Sequence, residues 1–258
     1  MTSNLKDHRV FITAGASGIG LVVIKTLLAC GARVATCDVD TQALAALRKD
    51  TPQVIASESD VADSRALGEA IQSAAREMGG LDTLINNAGS AGPTARVENI
   101  DDRAWESCLQ VCLSSQFYAV RAAVPLLRQS TNPSIINFSS AAGRFGFSHR
   151  TPYAAAKWGV IGLTKSLAIE LGADGIRVNA ILPGLVDGDR QQRVLHAKAQ
   201  AQERSFEDVK SEAFSYTSIK GFVPPQHIAD QIVFLMGKSG SMISGQAISV
   251  CGDTKMLA

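Results

Sequence analysis

Ser140, Tyr153 and Lys157 have the residue types and spacing for proton chemistry on an alcohol or a ketone. Tyr153 and Lys157 are four apart in a segment that reads as a helix, Pro152–Leu171, so their side chains share a face. An ammonium near a phenol stabilises the phenolate and brings a pKa of about 10 down toward the working range. Such a phenol serves as general base on an alcohol or as general acid on a ketone. Ser140 follows a predicted strand, Ser134–Ser139, where its hydroxyl can hold a substrate oxygen.

A second group suits a dinucleotide. Thr13-Ala14-Gly15-Ala16-Ser17-Gly18-Ile19-Gly20 lies between a predicted strand, Arg9–Thr13, and a predicted helix, Ile19–Ala29. Gly15, Gly18 and Gly20 let the backbone turn tightly and approach a pyrophosphate. Ser17 and Ile19 lead into the first helical turn, whose free N–H groups and positive dipole end attract phosphate. Asp38 ends the next predicted strand, Arg33–Asp38, 18 residues past Gly20. A carboxylate there accepts hydrogen bonds from the adenosine ribose and repels a 2′-phosphate. Ala16 and Ser17 are not basic, and Val39 follows Asp38. The expected cofactor is therefore NAD rather than NADP.

The elements that position these residues alternate between β-branched runs and amphipathic stretches, which predicts a parallel sheet with helices on both faces. Further strands are expected at Val54–Ser57, Leu81–Asn86, Arg177–Leu182 and Ala247–Val250. Further helices are expected at Leu44–Lys49, Ser64–Met78 (capped by Asp63 or Ser64), Asp101–Arg128 and Pro224–Met236. Pro125 should bend or shorten the end of the long one. Asp187–Ser215 is polar and helix-prone. No linker, repeat or charge block divides the chain, which predicts a single domain over residues 1–258.

With 258 residues, 46% hydrophobic and 19% charged, the chain is globular in composition rather than disordered or fibrous. A net charge of +1 excludes a general nucleic-acid or acidic-membrane surface. The five cysteines, without CxxC spacing, argue against a disulfide framework and a zinc site. A reducing cytoplasm is the expected compartment. The N-terminal stretch carries no signal-peptide pattern, and no apolar run approaches the roughly 18 residues of a membrane span.

Thr13, Gly15, Gly18-Ile19-Gly20, Asn86-Asn87-Ala88-Gly89, Ser140, Tyr153-x-x-x-Lys157 and Pro183-Gly184 occur in one order at compatible spacings. In that combination the chain resembles the short-chain dehydrogenase/reductase family from about residue 5 to about residue 252. The resemblance implies a Rossmann-type doubly wound α/β fold with a seven-stranded parallel sheet. It implies a cofactor half over about 5–140 and a catalytic, substrate-loop half over about 141–252. Tyr153 would be the acid/base, and Lys157 would assist it and hold the nicotinamide ribose. Ser140, thirteen residues before Tyr153, would orient the substrate carbonyl. Asp60 and Val61 would contact the adenine. Asn87, Ala88 and Gly89 would pass beside the cofactor, with Asn86 stabilising the sheet. Pro183, Gly184 and Val186 would lie along the nicotinamide. The resemblance also implies a homotetramer or homodimer through the helices containing Trp105–Leu127 and Tyr153–Leu171.

The chain departs from the family's pattern in three places. Cys112 stands where relatives carry an Asn that supports a water chain from the Lys to solvent. A thiol is a weak hydrogen-bond partner and cannot replace an amide. Gly188 stands where relatives often have a Thr that binds the carboxamide or phosphate, which leaves carboxamide recognition to the Val186 backbone. Cys251-Gly252-Asp253 replaces a common Asp-Gly-Gly.

Two segments should form a substrate pocket, Ala141–Pro152 and Leu185–Phe222. Arg150, three residues before Tyr153, is placed to pair with a substrate carboxylate or phosphate in a bidentate way, and is equally a solvated or intersubunit charge. Arg144 and Arg190 are the other candidate substrate cations. Phe145, Phe147, Leu185 and Phe214 are candidates for the apolar wall. The expected activity is hydride transfer between NAD and a secondary alcohol or its ketone, with a polar or anionic substrate such as a hydroxy acid, and no metal. One alternative is an NADPH-dependent 3-oxoacyl reductase-like enzyme. Another, prompted by Cys112, is a non-catalytic NAD-binding sensor or scaffold.

Overall fold

The computed structural model describes residues 5–257. Seven strands form one parallel sheet in the order β3-β2-β1-β4-β5-β6-β7. They are β1 (Arg9–Thr13), β2 (Arg33–Asp38), β3 (Ile55–Glu58), β4 (Thr83–Asn86), β5 (Ser134–Phe138), β6 (Arg177–Pro183) and β7 (Ala247–Val250). The helices are α1 (Gly18–Ala29), α2 (Thr41–Asp50), α3 (Ser64–Met78), α4 (Asp102–Leu109), α5 (Ser115–Leu127), α6 (Thr151–Glu170), α7 (Asp189–Ala201), α8 (Phe206–Ser215) and α9 (Pro225–Met236). The doubly wound α/β fold is as expected.

Alternation along the strands builds two cores. Val10 and Ile12 of β1 face one layer, with Leu27 of α1 and Ile228 and Ile232 of α9. Phe11 faces the other, with Ile71 of α3 and Ala119 and Ala123 of α5. Strands β4, β5 and β6 are buried along their whole length, as parallel strands covered on both sides must be. Inside the sheet Asn86 donates to the Asn137 Oδ1 at 2.9 Å and Asn137 donates to the Thr164 hydroxyl at 3.0 Å, so Asn86 braces the sheet as expected. Strand order reverses between β1 and β4, which opens a crevice at their carboxyl ends.

Asp63 rather than Ser64 caps α3, accepting from the N–H groups of Arg65 and Ala66. α2 begins earlier than expected because Asp40 caps it through the Ala43 N–H. The stretch expected as one helix over Asp101–Arg128 is interrupted by a π-helical turn, Gln110–Ser114. Such a turn loosens backbone carbonyls from the usual ladder. Two side chains reach back to them: Ser115 Oγ donates to the Val111 carbonyl at 2.7 Å and Gln116 Nε2 to that of Cys112 at 3.2 Å. The polar stretch Asp187–Ser215 divides into α7 and α8, the latter started by Ser205, whose hydroxyl accepts from the Asp208 N–H. Among the described residues no helix is long and apolar enough to cross a membrane.

Candidate active site

A cavity of about 1,410 Å³ runs along the carboxyl ends of the strands. At one end it is lined by Ser17, Gly18, Ile19 and Gly20, and by Asp38, Asp60 and Val61. Helix α1 starts there without a side-chain cap, so its first N–H groups are left for a ligand. Gly18 has φ +54°, a conformation that favours glycine. A Cβ on Gly20 would lie 2.6 Å from the Ala14 carbonyl oxygen and 2.8 Å from Asn87 Nδ2. Gly15 does not line the cavity; a Cβ on it would meet Thr36 Oγ1 at 2.4 Å, so its part is to let the turn pack on β2.

The Asp38 carboxylate is fixed by the Ala16 N–H at 3.1 Å and the Asp40 N–H at 3.2 Å. Asp40 and Asp60 line the same end, and no Lys or Arg does so among Ala14–Gly20, Asp38–Asp40 and Ser59–Val61. Ser59 Oγ there is buried and has no partner within the chain. Sequence reasoning missed it, because a lone Ser at a strand end carries no signal. Uncapped N–H groups, the glycine cradle, the fixed carboxylate and the orphaned hydroxyl fit a dinucleotide.

Asn87, Ala88 and Gly89 line the middle of the cavity. The Asn87 amide is used as a strut, donating to the carbonyls of Thr13 and Ala14 at 3.0 and 2.8 Å. Thr13 Oγ1 accepts from the Ala88 N–H at 3.0 Å, which locks this segment to the glycine turn.

The far end brings Ser140, Tyr153 and Lys157 together with Pro183, Gly184, Leu185 and Val186. Ser140 Oγ accepts from the Ala142 N–H at 3.2 Å, which leaves its own O–H to donate. The buried Lys157 ammonium is 5.6 Å from the centre of the Tyr153 ring and donates to the Phe138 carbonyl at 2.7 Å. Ser139 Oγ donates to the Lys157 carbonyl at 2.7 Å, holding α6 against the end of β5. Val186 pairs with Val223 through bonds made by its neighbours, since Leu185 accepts from the Val223 N–H and Asp187 donates to the Val223 carbonyl. The backbone groups of Val186 itself therefore point to the opposite side. Gly188 lines the cavity with φ +137°. Cys251 packs under Gly184, whose Cβ would lie 2.7 Å from the Cys251 Cα.

Cys112 is fully buried, and its Sγ is 3.3 Å from the Ser90 N–H and 3.5 Å from the Ser90 carbonyl oxygen. The Cys108 thiol beside it, helped by the charge of Lys157, holds the Cys112 thiol well below its ordinary range, whereas Cys108 is pushed up. The amide missing at position 112 is present one turn later. Gln116 Nε2 donates to the Cys112 carbonyl and, at 3.1 Å, to the same Phe138 carbonyl that holds Lys157. Sequence reasoning missed Gln116, which lies in the first turn of α5, just after the π-helical turn.

Of the candidate substrate residues, Arg150, Leu185 and Arg190 line the cavity, as does Phe147. Arg190 extends from the first turn of α7 and donates to the Gly89 carbonyl at 2.7 Å. Arg144 is a correction. Its guanidinium donates to Ser249 Oγ at 3.1 Å and to the Ala247 carbonyl, so it ties the loop after β5 to β7 outside the cavity. Phe145 and Phe214 are also outside it, and Phe214 packs edge-on against Phe222 at 4.9 Å.

Comparison with known proteins agrees with this geometry. Residues 8–199 match the family model for short chain dehydrogenases. The chain is 32% identical over 257 residues to 2-(S)-hydroxypropyl-CoM dehydrogenase 3 of Xanthobacter autotrophicus, covering 98% of each. It is 32% identical over 247 residues to the putative ketoacyl reductase 1 of the granaticin polyketide synthase of Streptomyces violaceoruber, covering 93% of this chain and 90% of that one. The crystal structure of an actinorhodin polyketide ketoreductase variant with NADPH superposes with a TM-score of 0.90 at 27% identity, covering 98% of each chain. A doubly wound sheet whose crevice joins an uncapped, glycine-lined helix start to Ser140, Tyr153 and Lys157 thus has its counterpart in sequence, and the chain belongs to the short-chain dehydrogenase family of oxidoreductases.

Proposed function

We propose that the chain is an NAD-dependent dehydrogenase that moves a hydride between nicotinamide and the carbon of a secondary alcohol or its ketone. The observation that carries this reading is the shared cavity, with the glycine turn and Asp38 at one end and Ser140, Tyr153 and Lys157 at the other. When bound, the nicotinamide supplies the hydride acceptor or donor. The chain's residues hold the substrate and handle the proton. Ser140 donates its O–H to the substrate oxygen. Tyr153 takes the hydroxyl proton on its Oη during oxidation and returns it during reduction. Lys157 supplies a positive charge beside the Tyr153 ring, held in place by the Phe138 carbonyl that Gln116 also binds.

The preference for NAD rests on Asp38, Asp40 and Asp60, which leave no cation for a 2′-phosphate at the turn. The ketoreductase with NADPH and the granaticin relative favour the other reading, an NADPH-dependent 3-oxoacyl reductase-like enzyme. Cys112 favours a third, an NAD-binding sensor or scaffold without turnover. The Gln116 amide on the carbonyl that holds Lys157 argues against it.

A homotetramer or homodimer is the proposed assembly, supported by Trp105, Phe117 and Trp158, which expose 38%, 45% and 53% of their surface on α4, α5 and α6. The five free thiols support a reducing cytoplasm. The test is NADH formation from NAD across a panel of secondary alcohols, with NADP in parallel. Turnover with NAD is expected; turnover with NADP alone would favour the reductase reading, and cofactor binding without turnover the sensor.

A further inference from the structure

Arg150 carries a buried charge that no carboxylate pairs among the described residues. The residue is 4% exposed. Its Nη2 donates to the Ala91 carbonyl, and its Nε is buried without a partner. Its guanidinium lies 5.1 Å from the centre of the Phe147 ring and 4.7 Å from that of Tyr153. The residue precedes the first turn of α6, where the helix dipole is itself positive. Burial pushes its pKa down and Arg190 acts in the same sense, against the opposite pull of Tyr153, Cys108 and Cys112. A buried guanidinium that no carboxylate pairs is destabilised by desolvation, and an anionic ligand relieves that.

A second cation, Arg190, lines the same cavity. A Cβ placed on Gly89 would be 3.7 Å from Arg190 Nη2, 3.6 Å from Lys157 Nζ and 3.8 Å from Cys112 Sγ, so the Lys157 charge has the thiol beside it, whereas among the described residues Arg190 has only the Gly89 carbonyl. The acids at this end, Asp187 and Asp189, line the cavity but are exposed and pair with neither arginine.

We propose that Arg150, with Arg190 on the wall of the same cavity, binds an anionic group of the substrate, and that the substrate is a short hydroxy acid or the matching keto acid. The proposal deepens the dehydrogenase reading and rests on it for the position of the reacting carbon. Because the guanidinium overlies the ring of Tyr153, the anion must be close to the carbon whose oxygen Tyr153 serves. A carboxylate about one or two carbons from the carbinol meets that requirement, and the planar guanidinium suits it as a two-point partner.

The test is equilibrium binding, by titration calorimetry, to the full chain saturated with NAD. NAD with a ketone forms a complex that cannot turn over. The probes are acetoacetate and 2-oxobutyrate, each beside its neutral methyl ester. The wild type is expected to bind at least one acid about 30-fold more tightly than its ester, as a charge-assisted pair requires. In Arg150→Gln the ratio should fall to near one. In Arg150→Lys, which keeps the charge without the fork, it should be intermediate. NAD affinity reports separately that each variant is folded, and Arg150→Lys decides the matter if Arg150→Gln is not. Absence of an acid preference in both pairs, or a preference that survives Arg150→Gln, overturns the proposal. Oxidation of 2- and 3-hydroxybutyrate is measured alongside. Acid binding that depends on Arg150 without NAD reduction would leave the anion site standing and remove the dehydrogenase reading. Oxidation of neutral alcohols without any acid preference would do the reverse.

Discussion

Replacing Asp38 should change which dinucleotide the protein uses, and the size of the effect follows from the local charges. Both carboxylate oxygens accept backbone N–H groups, from Ala16 at 3.1 Å and from Asp40 at 3.2 Å, so the charge cannot swing away from a 2′-phosphate. Two unit charges about 5 Å apart at an effective dielectric constant of about 20 repel by about 3 kcal/mol. That corresponds to a preference for NAD over NADP of about 100-fold. Asp38→Asn keeps the shape, removes the charge and turns an NH₂ group against one of the two N–H donors. It should bring the ratio of kcat/KM values for the two cofactors below about 10, mostly by relieving NADP of the repulsion, with a smaller loss for NAD. Asp38→Ser combined with Val39→Arg should invert the ratio by supplying a cation for the phosphate. Initial rates with each cofactor measure this, and calorimetric Kd values repeat it without a substrate. A wild type that uses both cofactors equally, or an Asp38→Asn variant that keeps a 100-fold preference, would refute the reasoning.

Three further expectations follow from other parts of the molecule. Gln116→Leu removes one of the two donors on the Phe138 carbonyl beside Lys157 and should lower kcat by about 10-fold, whereas Cys112→Asn should change it by less than about threefold; steady-state rates on one substrate compare them. Burial alone would raise the Asp82 carboxyl, but bonds from Arg9 and Ser130 bring it from 3.8 down to about 2. A lowered folded-state value stabilises above the unfolded value and is lost as pH falls from about 4 to 2, a loss of about 2 kcal/mol that urea titrations should show in the wild type and not in Asp82→Asn. Trp158→Glu, on an exposed aromatic of α6, should shift the protein to a smaller species in light scattering without changing its circular dichroism.

The strands were legible because parallel strands buried on both faces are nearly continuous apolar runs, and β1 and β2 begin and end where expected, as does the short edge strand β7. The glycine turn and the Tyr153–Lys157 pair were legible because their spacing is itself the geometry: a turn that needs φ > 0 and a helical repeat of four. The π-helical turn was not, since it adds a residue without any change in hydrophobic period, and neither was the role of Gln116 just after it. Arg144 and Arg150 are both arginines in the loop before α6. Only the packing shows that one turns outward to β7 and the other inward between Phe147 and Tyr153.

The central claim is that Tyr153 handles the proton while NAD takes the hydride. The measurement that tests it most directly is NADH formation across the alcohol panel by the wild type and by Tyr153→Phe, with NADH binding followed in both. The account predicts turnover in the wild type, a loss of at least about 100-fold in kcat for Tyr153→Phe, and unchanged NADH affinity to within about threefold. Turnover that survives the loss of the Tyr153 hydroxyl would contradict it.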